Sequence, residues 1–531
     1  MVFRDMMRAR TGRSLLCAVG WLGVALPAAA QEGEQDLEFA DDVPAEGDYF
    51  VIPFEVPEGT VEIQVSHDDR SEDNILDWGL MGPEGFRGYG GGNTQDAIVG
   101  EQAASRSYLP GPITPGTWHV YVGKAKIVEE PAEYEVKVTL RDETATLELE
   151  PQPERTPYEP VAPLSTEARW YAGDFHVHSS ESGDASASLE DIALFAEGRG
   201  LDFVMLSDHN TVSQLELYAE AQQAHPDLLF VPGIEVTTYQ GHANAMGATE
   251  WIDHRLGYEG LTADAVAEAT HAQGALFAIT HPGLDVGDLC IGCAWRAPID
   301  DDEVDGLEIQ TGAYDVTGAL LFDPAVTFWE DMAIAGHHVT AVGGSDDHRA
   351  GTGTGAFDSP IGSPTTMVWA EELSADGILE GVRNGRTVVK LQGPDDPMLE
   401  IWPEQPLSGD TVVADRLDLR VRVTGGNGTT LYLVENGMRG EAIPVMGDPF
   451  EVERTVTAPP SGESFIRAEL EMLGQPRVVT SHVFLQPATP GGGRESGGGG
   501  CAVAPDGPTS LPWLAAGFAL VAFALFVRRR G

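Results

Sequence analysis

From residue 170 to residue 392, short apolar runs alternate with helical stretches, and polar residues follow the runs. Phe203-Val204-Met205-Leu206, Leu276-Phe277-Ala278-Ile279 and Val339-Thr340-Ala341-Val342 read as strands. One helical stretch opens at Ser188, whose hydroxyl can cap it with Asp191 three residues on. A chain that alternates in this way is directed toward a parallel sheet or barrel, with its site at the ends of the strands. The expected fold class is α/β.

The flanks differ. Residues 36–141 hold short strands with period-two alternation, such as Val61-Glu62-Ile63-Gln64-Val65 and Trp118-His119-Val120-Tyr121-Val122, separated by Pro and Gly turns. They predict an N-terminal β-sandwich. A Pro- and Glu-rich linker follows at 142–169. Residues 395–487 return to strand patterning, as in Leu417-Asp418-Leu419-Arg420-Val421-Arg422-Val423, and predict a second, C-terminal β-sandwich; a Gly- and Pro-rich linker occupies 488–500. A chain of 531 residues is too long for one ordinary core, which agrees with several domains.

A formal net charge of −53 excludes a nucleic-acid binder, which needs Lys and Arg against phosphate. Arg4, Arg8, Arg10 and Arg13 precede an apolar stretch at 14–30 that ends Ala28-Ala29-Ala30, so 1–30 reads as a signal peptide, and Cys17 leaves with it. At the other end a Gly-rich stretch reaches Cys501, residues 511–527 are apolar, and Arg528-Arg529-Arg530 follow. At ~1.5 Å per residue that apolar helix spans about 26 Å, close to a bilayer core. Residues 501–531 resemble the MYXO-CTERM sorting signal. The resemblance implies a sorting protease acting near Cys501, lipid attachment there and loss of the helix; a plain membrane anchor is the alternative. Either way the protein is expected to be exported and membrane-anchored at the cell envelope.

The chemistry-bearing residues gather at the strand ends. Gly173-Asp174-Phe175-His176-Val177-His178-Ser179 puts two histidines at i and i+2, on one side of a strand. Ser207-Asp208-His209-Asn210, Gly233-Ile234-Glu235, Gly241-His242, Thr280-His281-Pro282 and Ser345-Asp346-Asp347-His348 follow. Singly, each could be a satisfied core or surface residue; together, recurring at successive strand ends, they point to a divalent-metal site. Cys290 and Cys293 read first as a short-loop disulfide, with free thiols or an incidental metal site as alternatives. His337 and His338 read as structural.

This series resembles the PHP (polymerase and histidinol phosphatase) domain, and the strings Gly-Asp-Phe-His-Val-His-Ser and Trp251-Ile252-Asp253-His254-Arg255 resemble its CehA/McbA branch, which includes carbamate hydrolases. The resemblance implies a distorted (βα)7 barrel over 170–392 with two or three divalent ions, zinc, manganese or iron. One ion would lie on His176, His178, Glu235 and Asp346, with Glu235 bridging to a second on His242 and His281. A third would lie on Asp184, His209 and His348, with Glu181 a competitor for Asp184. Glu235, Asp346 and His348 would be the catalytic residues. Asp208 and Asp347 are expected to orient ligands, and Arg349 reads as either a substrate contact or a surface residue.

Amidohydrolase barrels share the opening His-x-His but use a carboxylated lysine as a bridge, and no lysine occurs between Trp170 and Val389. Two ions sharing a hydroxide would give a nucleophile for phosphorus or a carbonyl carbon. The expected function is therefore an exported metal-dependent hydrolase of small molecules, a phosphoesterase first. A carboxyl ester or carbamate hydrolase is the alternative, and a non-catalytic surface scaffold the non-enzyme one.

Overall fold

The structure is a computed structural model that describes residues 32–152, 155–287, 290–355, 358–402 and 408–488. The expected signal peptide, the sorting signal and the 488–500 linker except Ala488 lie outside the described residues. Among the described residues no helix is long and apolar enough to cross a membrane.

The N-terminal strands form two four-stranded antiparallel sheets. One is built from Glu34–Asp42, Glu133–Asp142, Thr60–Asp68 and Ala97–Gly100, the other from Tyr49–Val56, Gly116–Lys126, Ile75–Gly82 and Gly85–Gly91. Alternation along each strand sends one set of side chains inward. Ile63 and Val65 of the first sheet thus share a core with Trp78, Leu80, Trp118 and Val120 of the second.

The central region is mixed α/β. Its helices carry the caps the sequence calls for: Ser188 and Asp191 form a capping box on Leu189–Gly198, and Gly336 ends Ala319–Ala335 with φ +101°. Two sheets carry the strands. One runs Leu229–Val231, Phe203–Leu206, Arg169–Val177, Thr365–Ala370, Thr387–Lys390; the other runs Gly233–Thr238, Gly241–Met246, Leu276–Ile279, Gly306–Thr311, Thr340–Gly344. The pairing is not purely parallel as alternation alone suggests. Gly233–Thr238 reverses through Tyr239 and Gln240 into Gly241–Met246, which pairs antiparallel with Leu276–Ile279. Two residues cannot hold a crossover helix, and Gly241 (φ +142°) leaves no Cβ to strike Trp295. The two sheets touch at two parallel bridges, Val177 with Asp347 and His209 with Glu235.

Strand pairing also crosses the boundary placed between 392 and 395. Thr387–Lys390 pairs antiparallel with Gln475–Thr480, so the central sheet continues into the C-terminal strands. Val388, Leu399, Val421, Ile466, Leu470 and Val478 share the core beneath it, opposite the sheet Met398–Trp402, Arg416–Thr424, Phe450–Thr457. Ending the chain after residue 392 should therefore expose an unpaired edge bearing Val388 and Val389, both fully buried here. Size-exclusion chromatography should find the shortened chain aggregated. A monodisperse product would show that the C-terminal strands are dispensable to the central sheet.

Candidate metal centre

The end of Arg169–Val177 and the segment after Thr340–Gly344 lie side by side. Asp346 donates its amide to the His176 carbonyl at 2.8 Å, and His178 donates its amide to that of Asp347 at 2.9 Å. A Cβ on Gly344 would lie 2.2 Å from His176 Cβ, so only glycine permits this approach. Glu235 is set by the other joint: its amide meets the Ser207 carbonyl at 3.2 Å, and its carbonyl accepts from Asn210 at 3.0 Å. His242 stands on the adjoining strand and His281 follows Leu276–Ile279. His281 (φ +28°) and Asp346 (φ +57°) sit in the left-handed region, which non-glycine residues occupy at a cost.

Glu235, fully buried, is the hub. Its Oε1 lies 3.0 Å from His281 Nε2, 3.2 Å from His242 Nδ1 and 3.4 Å from His176 Nε2. Its Oε2 lies 2.8 Å from His209 Nδ1 and 3.6 Å from His178 Nε2. Asp346 Oδ1 is 3.1 Å from His178 Nε2 and 3.4 Å from His176 Nε2. Asp184 Oδ2 stands 3.4 Å from His348 Nε2 and 3.5 Å from His209 Nε2, whereas Glu181 turns away to Ser107 and Arg155. All nine residues expected at the site are thus brought together.

These donors fit divalent ions. His176 Nε2, His178 Nε2, His242 Nε2 and Glu235 Oε2 are buried with no hydrogen-bond partner. Orphaned buried polar atoms are costly, and ions at their common focus would satisfy them. Donor atoms converge in four groups: His176, His178 and Asp346; His176, Glu235 and His281; His178, His209 and His348; His242, His281 and Cys293. The last group is weaker, because Cys293 is disulfide-bonded to Cys290 and offers no thiolate.

Charge compensation in the site is strong. Burial disfavours the His176 imidazolium, but Glu235, Asp346 and Glu308 outweigh it and push its pKa well up. Burial likewise opposes His348, which Asp184 and then Asp346 raise to about 9. His178 goes the other way, down to about 3, through burial and the neighbouring His348 and His209. Burial would raise Glu235, yet His176, His209 and His242 hold it well below the usual carboxylate range.

Glu308 is the residue that sequence reasoning missed. Its carboxylate accepts from His176 Nδ1 at 3.3 Å and from the His281 amide at 2.9 Å, so it orients two histidines at once. Its local pattern, Gly306-Leu307-Glu308, repeats that of Gly233-Ile234-Glu235. Asp208, pushed up to about 6 by burial, touches no imidazole; it binds Ser182, whose Oγ lies 3.1 Å from His178 Nδ1. Asp347 accepts loop amides from Arg349 and Gly351. Arg349 is half exposed beside Asp358, and His337 and His338 make structural contacts to Asp302 and Glu463. Glu308→Gln should weaken metal affinity ~10–100-fold in a zinc titration. Asp347→Asn should leave metal affinity and most activity intact. Equal effects would remove the distinction between the two carboxylates.

A cavity of about 550 Å³ opens onto Glu235, His281, Asp346 and His348. The N-terminal sheets supply part of its wall, through Ile75, Asp77, Tyr89 and the glycines 90–92. Tyr239 donates to Asp77 at 2.7 Å, and Phe86 stacks on Trp251 at 4.8 Å. The Trp251–Arg255 string therefore lies at this junction, with His254 buried against Tyr49 and Tyr89.

No protein-family model and no curated protein matches the chain. Among solved structures, it is similar to a two-domain protein of Bacteroides vulgatus containing a predicted PHP-like metal-dependent phosphoesterase. Identity there is 18% over 63% of this chain and 100% of the other, with a TM-score of 0.36. It is similar also to a provisionally assigned metal-dependent phosphoesterase of Bifidobacterium adolescentis (17% identity, 39% and 94% covered, TM-score 0.25). An amidohydrolase of Chromobacterium violaceum, solved with sulfate and without metal, gives 14% identity, 35% and 93% coverage and a TM-score of 0.22.

Proposed function

We propose that the chain is a metal-dependent hydrolase of the PHP kind, acting first on phosphoesters. Its core would be a distorted (βα)7 barrel flanked by two β-sandwiches, a reading supported by the two bridges that tie both edges of the second central sheet to the first. The observation that carries the function is the set of buried imidazole and carboxylate atoms without a hydrogen bond that gather around Glu235, beside a cavity lined by Glu235, His242, His281, Asp346 and His348. His176, His178, Glu235 and Asp346 would hold one ion, Glu235, His242 and His281 a second, and Asp184, His209 and His348 a third. Bound divalent ions supply Lewis acidity and lower the pKa of water. The chain's own part is geometric: Glu235 holds the imidazoles at one focus, Glu308 fixes two of them, and the barrel wall limits water to the cavity side. Asp346 and His348, each partly exposed there, are the groups placed to meet substrate.

A second reading has its own support. Among the described residues the cavity has no Lys or Arg, and Ile75, Leu284, Val286 and Ile291 give it apolar surface. That lining suits an uncharged carboxyl ester or carbamate with an apolar group. Phosphomonoester, phosphodiester, carboxyl ester and carbamate substrates, offered to the zinc-, manganese- and iron-loaded chain, would decide between them. No turnover of any by a metal-loaded chain would sink the hydrolase reading. We also propose export and envelope anchoring, on the strength of residues 4–30 and 501–530; an intact Met1 on a cytosolic protein would overturn that.

A further inference from the structure

The loop that carries Asp184 is gripped from outside its own domain. The Asp184 side chain is 61% exposed, so packing does not fix it, and its place depends on the backbone beneath it. Arg106, from the N-terminal sheets, donates Nη2 to the Gly183 carbonyl at 2.6 Å and Nη1 to the Ala185 carbonyl at 3.0 Å. One guanidinium thus brackets Asp184 on both sides. Its remaining Nε–H is spent on Gln95 Oε1 at 2.9 Å, which sets the plane of the fork. Ser107, fully buried, donates its amide to Glu181 Oε2 at 3.0 Å and its hydroxyl to the Glu181 carbonyl at 2.5 Å. A Cβ on Gly183 would come 2.5 Å from the Gly90 carbonyl, so the two backbones meet with no room between.

We propose that the N-terminal sheets are an integral part of the metal centre, with Arg106 the positioning residue that sets Asp184 against His209 and His348 and so fixes a third ion. This rests on the reading of those three residues as one ion's ligands. Arg106 does not line the cavity. It acts through two carbonyls that flank a ligand, which the planar guanidinium reaches with two separate nitrogens; a lysine ammonium has one nitrogen and no fixed fork with which to span both.

The test uses the full chain, stripped with chelator and titrated with zinc, with ions counted by elemental analysis and stepwise affinities read by calorimetry. Wild type is expected to bind three ions. Arg106→Ala should keep two at wild-type affinity and weaken one by ~10–100-fold, and Arg106→Lys should recover little of the loss. Asp184→Asn should weaken the same ion, and adding Arg106→Ala to it should change zinc binding no further. That non-additivity separates positioning from general loosening, which would weaken all ions together and add to the effect of Asp184→Asn. The proposal is overturned if folded Arg106→Ala keeps every ion at wild-type affinity, if it weakens all alike, or if wild type binds only two. A wild type that binds none would sink the hydrolase reading itself.

Discussion

Glu235→Gln should abolish hydrolysis while leaving the fold in place. The carboxylate sits within 3.6 Å of His176, His178, His209, His242 and His281, and no other carboxylate among the described residues touches so many. The amide is nearly isosteric but carries no charge and has one good acceptor oxygen. It would leave the imidazoles without their central counter-charge and any ions without an anionic bridge. Loss of positioning alone costs ~10²-fold or more in rate. The fold should survive, because the bonds that place residue 235 are main-chain ones, to Ser207 and Asn210. Circular dichroism would confirm folding, elemental analysis would show fewer ions, and turnover would be compared on a substrate of the wild type. Full activity in a metal-loaded variant would end the bridging assignment.

What the sequence made legible is what local periodicity encodes. His176 and His178 share a face because a strand repeats every two residues, and polar residues after apolar runs mark strand ends whatever the long-range pairing. Ser188 with Asp191 was readable because a cap is a four-residue affair. Contacts between distant segments were not readable. Asp184 and Glu181 lie in one loop with no periodicity, and what separates them is Ser107 and Arg155 capturing Glu181 from far along the chain. Glu308 had the right motif but no histidine beside it, so its role appears only once Gly306–Thr311 lies next to Leu276–Ile279. The break near 392 looked like a domain boundary because the patterning changes there. Hydrogen bonding ignores that change, since Val388 and Val389 find their partners in Thr480 and Val479.

Removing metal should silence the protein and loosen it together. Without ions, the carboxylates are offset only by protonated imidazoles: against burial, Glu235, Asp346 and Glu308 push His176 well up, and Asp184 and then Asp346 push His348 up to about 9. Ligation requires neutral imidazole, so ion binding must expel those protons. The sign follows: apparent zinc affinity should fall as pH drops from about 9 toward neutrality and below, with proton release visible as a buffer-dependent heat. Because the unfolded chain cannot gather residues as distant as His176 and His348, ions bind the folded state preferentially and stabilise it. At a free concentration ~1,000 times the dissociation constant the gain is about 4 kcal/mol for one site. For a chain of this size, with an unfolding entropy of about 1 kcal/mol/K, that corresponds to a rise in melting temperature of roughly 4 °C. Chelation should therefore abolish turnover and lower the melting temperature by that amount, and zinc, manganese or iron should restore both. A chelated chain that melts where the loaded one does, with fewer than one ion per chain after reconstitution, would mean that the buried imidazoles are a packing feature and the metal centre does not exist.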